Sequence, residues 1–160
     1  MTTQKQKTFR YEGKDLDSMD GAVNYHAWIL GEFTKFLGAS VTEVGAGTGT
    51  FSKLVATRPE SKKVIMVEPS IDMVQLLENN IKEMPQNIDV ELFPNFLSEV
   101  EDSVKKLEPD SMVFVNVFEH IENDKEEMKR CHRILSDGGR LCIFVPALPV
   151  LYSCLLYTSD

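Results

Sequence analysis

The segment from Val41 to Phe51 constrains the fold of this 160-residue chain more than any other. A short apolar run ends beside an acid, and three glycines then alternate with small residues at positions 45, 47 and 49 before a helix-like pattern begins. Glycine suits such a turn because a Cβ would hold the backbone away from a ligand and disfavour positive φ. The pattern predicts a strand, a tight turn and a helix start, the point where open α/β sheets bind nucleotide-like ligands.

The spacing of the glycines separates two classes of ligand. A dinucleotide fingerprint runs G-x-G-x-x-G and places a pyrophosphate at the helix N-terminus. Counted from Gly45, the third glycine of that fingerprint would fall at position 50, where this chain has Thr50. Glu43 lies two residues before Gly45, and a carboxylate there repels a phosphate and attracts a cation. S-adenosylmethionine (SAM) has no phosphate and carries a sulfonium and an ammonium group. Residues 43–49, E-V-G-A-G-T-G, resemble motif I of the class I SAM-dependent methyltransferases.

A second acid stands at the spacing that this ligand requires. Val64–Val67 is an apolar run typical of a buried parallel strand, and Glu68 follows it, 23 residues beyond Gly45. That offset suits an acid on ribose hydroxyls, and the resemblance implies this role for Glu68. The resemblance also implies that Met73 packs on the adenine face. The alternatives are a solvated acid for Glu68 and a core-facing helix residue for Met73.

Two further segments extend the resemblance to about residues 9–152. N-V-F-E-H-I-E-N (116–123) resembles the motif after the fourth strand of many small-molecule methyltransferases, and the segment 134–141 resembles their L-x-x-G-G-x-L turn. The resemblance implies that Asn116 and Phe118 line the SAM pocket, with core packing as the alternative for Phe118.

The same resemblance assigns residues for the two ends of the cofactor. Asn95 and Phe96 fall where the family carries an acid that accepts from the adenine amino group, and an amide oxygen can still accept that bond. Gly45, Gly47 and Gly49 allow close backbone approach, and Glu43 lies near the methionine portion. Tyr25 belongs to a segment that resembles an N-terminal lid helix. The predicted cofactor site therefore comprises eleven residues: Tyr25, Glu43, Gly45, Gly47, Gly49, Glu68, Met73, Asn95, Phe96, Asn116 and Phe118.

Two residues leave their roles open. Tyr25 either touches SAM or, together with Trp28, anchors its helix on the core. His120, next to Glu119, is either a general base for a hydroxyl or amine acceptor or a structural residue after the fourth strand. The sequence therefore assigns no catalytic residue.

Alternating apolar strands and amphipathic helices predict a Rossmann-like α/β fold with a parallel sheet in the order 3-2-1-4-5. An apolar stripe that includes Phe36 predicts a helix over 18–37 with Gly38 as its C-cap. Asn123 is predicted to cap a later helix whose apolar stripe begins at Met128. The predicted strands lie at about 40–44, 63–68, 89–92, 111–117 and 140–145.

Composition excludes several classes of function. The chain carries 17 basic and 25 acidic residues, a net charge of −8, which argues against nucleic acid or an anionic membrane as partner. No apolar run approaches the roughly 20 residues that span a bilayer. Cys131, Cys142 and Cys154 lack metal-ligand spacing and are typical of a reducing cytoplasm. We therefore expect a cytoplasmic protein without a metal site.

The last residues depart from the family pattern. The sequence predicts a polar N-terminal segment (1–16), a SAM-binding domain (17–153) and a non-native tail (154–160) that resembles translated adapter sequence. A class I methyltransferase continues past its fifth strand, so the expectation is that the domain lacks its final strands.

Together these features predict SAM-dependent methyl transfer to a small-molecule or saccharide/lipid-intermediate acceptor. Two alternatives remain open at this point. One is an NAD(P)-dependent oxidoreductase, and the other is a non-catalytic SAM-binding protein.

Overall fold

The computed structural model of the protein describes residues 23–146. The predicted segments 1–16 and 154–160 and the start of the first predicted helix lie outside these residues. Strands and helices alternate along the described part. The strands are β1 (Ser40–Val44), β2 (Lys63–Val67), β3 (Asp89–Phe93), β4 (Ser111–Val115) and β5 (Arg140–Phe144). The helices are α1 (Val23–Phe33), α2 (Thr50–Ala56), α3 (Ile71–Ile81), α4 (Leu97–Lys105) and α5 (Asp124–Ile134), with a 3₁₀ turn over Phe118–His120.

The five strands form one parallel sheet in the order β3-β2-β1-β4-β5, which confirms the predicted topology. Val41 of β1 lies between Val64 of β2 and Ser111 of β4. The chain therefore fills one half of the sheet from β1 to β3 and then crosses back to place β4 on the other side of β1. The carboxyl ends of all five strands meet at one edge, and the reversal between β1 and β4 is the point where ligands bind in such sheets.

Helices cover both faces of the sheet, so its central strands are buried on both sides. All five residues of β4 are buried, and four of the five are buried in β1 and in β2. One face packs against α1 and α2 through a cluster that includes Ile29 and Phe51. The other face packs against α4 and α5 through a cluster that includes Val104 and Cys131. This core fixes the strand ends that form the site.

Helix α1 is shorter than its apolar stripe predicts. Ile29 and Phe33 are buried as expected, but the helix ends at Phe33 and Phe36 is 46% exposed. Gly38 is not a helix C-cap. A Cβ on Gly38 would lie 2.4 Å from the carboxylate carbon of Asp110, so the glycine allows that carboxylate to approach the backbone. Both predictions failed because a contact distant in sequence determines the path of the chain after the helix.

Helix α5 begins as predicted, and Cys131 of its predicted apolar stripe is buried whereas Met128 is not. The Asn123 side chain accepts a hydrogen bond from the Glu126 N–H at 3.2 Å, which confirms the N-cap. Met128 is 50% exposed, whereas Glu127, Cys131 and Ile134 are buried. Glu127 is an acid on the buried face because Arg130 forms an ion pair with it, and a hydrophobic pattern alone does not predict such a residue.

Asp110 organises the amino edge of the sheet. Its Oδ2 accepts hydrogen bonds from the backbone N–H groups of Ala39 at 2.8 Å and Ser40 at 3.0 Å. Its Oδ1 accepts from the Ser111 hydroxyl at 2.8 Å, and that hydroxyl accepts in turn from the Gly38 N–H at 2.8 Å. One carboxylate thus joins the start of β1 to the start of β4.

Two buried side chains complete this edge. The Arg58 guanidinium donates to the carbonyls of Leu37 at 2.9 Å and Gly38 at 3.2 Å. The Ser61 hydroxyl donates to the Val55 carbonyl at 2.7 Å.

Among residues 23–146, none of the helices has the length and apolar character needed to cross a bilayer.

Candidate functional site

The turn after β1 consists of glycines in left-handed backbone conformations. Their φ values are +73° at Gly45, +55° at Gly47 and +83° at Gly49, a region that side-chain-bearing residues rarely adopt. The turn is attached to the next strand, because the N–H groups of Gly45 and Ala46 donate to the Val67 carbonyl at 2.8 and 3.2 Å. The predicted tight turn between β1 and α2 is therefore present.

The three glycines face different surroundings. A Cβ on Gly45 would lie 2.5 Å from Val117 Cγ2, and a Cβ on Gly49 would lie 2.2 Å from Leu77 Cδ1. A Cβ on Gly47 would meet no atom within 4 Å. Gly45 and Gly49 are therefore required by neighbouring side chains as well as by their φ values. Gly47 is the position where the turn faces open space.

Glu68 joins the glycine turn to the start of α3. Its Oε2 accepts a hydrogen bond from the Gly47 N–H at 2.8 Å, and its Oε1 accepts from the Ser70 N–H at 2.8 Å. The side chain is buried. Burial raises the pKa of Glu68, and the two backbone N–H groups oppose that rise. The carboxylate that the sequence predicts for this site thus contacts the middle glycine directly.

Glu43 lies deeper, under the turn. Its carboxyl accepts a hydrogen bond from the Ser52 hydroxyl, three residues into α2. Burial raises the pKa of Glu43 to about 8, hydrogen bonds from Ser52 lower it, and the charge of Glu68 raises it slightly. At neutral pH this carboxyl is therefore largely protonated. The sequence did not predict the Ser52 contact, because nothing in the spacing of the two residues marks it.

Asn116 and Tyr25 meet at the reversal between β1 and β4. Asn116 follows β4 with a φ of +54°, and its N–H donates to the Phe144 carbonyl at 2.9 Å. The Tyr25 hydroxyl lies 3.3 Å from Asn116 Oδ1 and 3.2 Å from Asn116 Nδ2. The structure thus brings together two predicted site residues that are 91 positions apart.

Aromatic rings surround this pair. The Tyr25 ring contacts Phe144 edge-on, with 5.9 Å between centroids, and Trp28 contacts the same ring at 5.6 Å. Trp28 is 54% exposed, so about half of its surface remains open beside this ring. The half-buried Phe118 ring contacts Phe114 at 5.3 Å and packs against the core cluster, and its predicted place in the SAM pocket stays a prediction.

The remaining predicted residues lie on the β2–β3 side. Asn95 is half-buried just after β3, and its N–H donates to the Phe93 carbonyl at 2.9 Å. Phe96 is 45% exposed at the start of α4, and Met73 is half-buried on α3. All three follow the strands on the same side of the glycine turn as Glu68.

The Glu119–His120 pair lies in the 3₁₀ turn. His120 is exposed, whereas Glu119 is half-buried and its Oε2 has no hydrogen-bond partner within the described part of the chain. Residues 23–146 contain no cluster of three or more His, Cys, Asp or Glu side chains that could hold a metal ion. The geometry therefore singles out the glycine turn, the two acids and the Tyr25–Asn116 pair.

Solved structures share this architecture. A Methanococcus maripaludis protein described as a SAM-dependent methyltransferase aligns with a TM-score of 0.63 and 17% identity over 89% of this chain and 67% of its own. The cyclopropane synthase MmaA2 from Mycobacterium tuberculosis aligns with a TM-score of 0.65 and 17% identity over 97% of this chain and 54% of its own. The plantazolicin methyltransferase BpumL, solved with S-adenosylhomocysteine (SAH), aligns with a TM-score of 0.61 and 15% identity over 93% and 54%.

The chain thus spans about half the length of two of these proteins. A comparison with curated proteins finds no match. The family described as "Methyltransferase domain" matches residues 23–153. The chain therefore belongs to this methyltransferase family and has the Rossmann-like fold of the class I SAM-dependent methyltransferases.

Proposed function

We propose that this protein binds SAM at the carboxyl edge of β1, β2 and β4 and transfers its methyl group to a small-molecule or saccharide/lipid-intermediate acceptor. The observation that carries the proposal is the turn at Gly47. A Cβ on Gly47 would face open space, and the Gly47 N–H donates a hydrogen bond to the Glu68 carboxylate. We also propose that residues 17–153 form the cofactor-binding domain, a range that includes the family match at 23–153.

Glu68 binds the ribose in this proposal. Each of its carboxylate oxygens accepts one backbone N–H in the structure, and a carboxylate oxygen can accept a second donor. Two neighbouring ribose hydroxyls fit that capacity, and bonds to a charged acceptor are strong. On the same side, Asn95 and Phe96 contact the adenine and Met73 packs on its face.

The methionine half of SAM lies toward Glu43 and the β4 end. Glu43 is an ionisable carboxyl under this half of the pocket, and a cation bound nearby would favour its charged form. The glycine turn allows the ligand to approach the backbone. Tyr25, Asn116 and Phe118 complete this half of the pocket in the proposal. Support comes from the direct contact between Tyr25 and Asn116.

The reaction is an in-line displacement at the methyl carbon. A lone pair of the acceptor forms the new bond to carbon, and the carbon–sulfur electron pair remains on sulfur to give SAH. The sulfonium is a good leaving group, so the protein contributes mainly alignment. The fold alone does not select the acceptor, and a cyclopropane synthase is among its structural neighbours.

Calorimetric titration with SAM and with NADH tests the cofactor. The Glu68 carboxylate beside Gly47 disfavours a pyrophosphate at the turn, so we expect SAM to bind and NADH to bind far more weakly. Tight NADH binding without SAM binding would replace the proposal with the oxidoreductase alternative.

Glu68→Ala tests the ribose contact. Loss of bonds to a charged acceptor is expected to weaken SAM binding by ~1.5–3 kcal/mol. Glu78→Ala removes an exposed acid from α3 and serves as the matched control, which should bind SAM normally. Unchanged affinity in Glu68→Ala would refute the role.

Turnover separates a methyltransferase from a non-catalytic SAM-binding protein. The protein expressed from its full open reading frame is incubated with methyl-labelled SAM and a metabolite extract. We expect label in a small-molecule fraction, and SAM binding without any transfer would support the non-catalytic alternative.

A further inference from the structure

The order of the strands determines which end of SAM lies beside Asn116. In the proposed function the ribose contacts Glu68 after β2, and the adenine lies toward Asn95 after β3. Strand β4 is on the opposite side of β1 from these strands. The methyl end of the ligand therefore points toward β4, where Asn116 is the first residue after the strand.

The backbone of Asn116 is in the left-handed conformation. Its φ is +54°, in a region that few non-glycine residues adopt and that asparagine adopts more readily than most. The N–H of Asn116 donates to the Phe144 carbonyl at 2.9 Å. The end of β5 thus holds the turn that directs this side chain away from the path of the strand.

A separate element holds the side-chain amide. The Tyr25 hydroxyl lies 3.2 Å from Nδ2 and 3.3 Å from Oδ1 of Asn116. The Tyr25 ring is held in turn by its edge-on contact with Phe144. Because an amide oxygen has two lone pairs, Oδ1 retains at least one for another donor even when Tyr25 donates to it.

We propose that Asn116 accepts a hydrogen bond from the methyl acceptor, an amine, and that Tyr25 is the positioning residue that orients the Asn116 amide for this contact. The proposal rests on the proposed function. Nothing in the motif pattern links the two residues, since the pairing arises from the fold.

The chemistry of an amide oxygen favours an amine acceptor. It accepts a hydrogen bond but is too weak a base to remove a proton before attack. A neutral amine needs no such removal, because its nitrogen lone pair is available while one N–H bonds to Oδ1. That lone pair forms the bond to the methyl carbon, and the carbon–sulfur pair remains on sulfur. The resulting ammonium then releases its proton to water.

Sinefungin tests the geometry without knowledge of the acceptor. In this SAM analogue a carbon bearing an ammonium group replaces the sulfur and its methyl group. Its N–H donors therefore occupy the reacting end of the pocket, whereas SAH has no donor there. We expect the chain to bind sinefungin at least about ten-fold more tightly than SAH, because hydrogen bonds from a charged donor are strong.

Two variants assign that preference to the pair. Asn116→Ala should reduce the ratio of the two affinities to about one, and Tyr25→Phe should reduce it by about three-fold or more. Tyr25→Phe keeps the aromatic ring, so sinefungin binding should lose clearly more affinity than SAH binding. Thr34→Val is the control, because it removes an exposed hydroxyl just after the same helix, and it should leave the ratio unchanged.

Each outcome decides a different point. A ratio near one in the unaltered chain overturns the contact at Asn116. A ratio that Tyr25→Phe leaves unchanged overturns the positioning role. Equal losses of SAH and sinefungin binding in Tyr25→Phe mean a purely structural role and also overturn it. If the unaltered chain binds none of the three ligands SAM, SAH and sinefungin, the proposed function itself fails.

A separate measurement tests whether the methyl acceptor is an amine. The labelled products of the extract experiment are passed over a cation-exchange resin at low pH. Methylated amines are retained, whereas methyl ethers and esters pass through. Label found only in the unretained fraction would overturn the amine acceptor and leave the proposed methyl transfer intact.

Discussion

The carboxyl groups at the two edges of the central sheet have different surroundings. At the amino edge, the Asp110 carboxylate accepts three hydrogen bonds that join β1 to β4. At the carboxyl edge, the buried Glu43 carboxyl is bonded to Ser52 and has a raised pKa, and Glu68 accepts from the glycine turn. Buried hydroxyls without a partner in residues 23–146 occur at both edges, at Ser40 and at Ser70. The difference therefore lies in the carboxyl groups: the one at the amino edge joins two strands, and those at the carboxyl edge border the turn proposed to bind the ligand.

The largest effect is expected at the glycine turn. Gly45→Ala places a Cβ against both γ-carbons of Val117, at 2.5 and 2.9 Å, with φ at +73°. The clash and the left-handed backbone together should lower the free energy of unfolding by about 4 kcal/mol. Gly47→Ala, which meets no clash, should cost about 1–2 kcal/mol. Urea denaturation measures both, and equal losses would contradict the assigned surroundings.

Removal of the amino-edge carboxylate comes next. Asp110→Ala leaves two backbone N–H groups and a hydroxyl without their acceptor, at an expected cost of about 3 kcal/mol. Asp110→Asn keeps one oxygen acceptor and should lose less. If SAM binds the chain, the affinity of Asp110→Asn should be unchanged, because this edge lies opposite the site. Reduced SAM affinity at unchanged stability would contradict the assignment of Asp110 to the stability of the fold alone.

Glu43 should make stability depend on pH. Its folded pKa of about 8 exceeds its ordinary value of 4.5, so between these values the folded state holds a proton that the unfolded chain has released. Stability should therefore fall as pH rises through this window, by up to about 1.4 kcal/mol per pH unit, and level off above it.

The matched variant for this dependence is Glu43→Gln. Its amide oxygen can still accept from Ser52, and it has no proton to lose. Glu68 and Glu127 also have raised pKa values, so the informative quantity is the difference between the two unfolding curves across pH. Parallel curves would show that Glu43 titrates normally.

Two serines give the smallest contrast. Ser61→Ala at the amino edge removes a hydroxyl bonded to Val55 and should cost about 1 kcal/mol. Ser70→Ala at the carboxyl edge removes a buried hydroxyl with no partner in the described residues. It should change stability by less than about 0.5 kcal/mol or increase it. A larger loss in Ser70→Ala would mean that its hydroxyl accepts a hydrogen bond from the first turn of α3.

Strands β2, β4 and β5 were predictable because they are short runs dominated by apolar residues, and β1 was predictable because the glycine turn follows it. Strand β1 has the predicted bounds, and β4 ends two residues early because Asn116 turns into the left-handed region. The misplaced residues depend on distant contacts. Gly38 faces a carboxylate more than 70 positions away, and an ion pair with Arg130 places Glu127 on the buried face of α5.

The candidate site also has a part that the sequence predicts and a part that it does not. Spacing alone predicted the glycine turn and Glu68, since both follow adjacent strands and therefore meet at one edge. The Ser52–Glu43 bond and the Tyr25–Asn116 pair were not predictable, because helix packing creates them. The roles of all these residues toward SAM stay predictions until binding is measured.

The hydrogen bond from Gly47 to Glu68 has a thermodynamic consequence for any ligand of this turn. The same carboxylate also fixes the first turn of α3, so the loop conformation is set when the domain folds. Restricting backbone residues costs about 1–2 kcal/mol each in conformational entropy, and here that loss belongs to folding. A ligand that docks on a preorganised loop avoids this ordering cost, so more of its interaction energy appears as affinity.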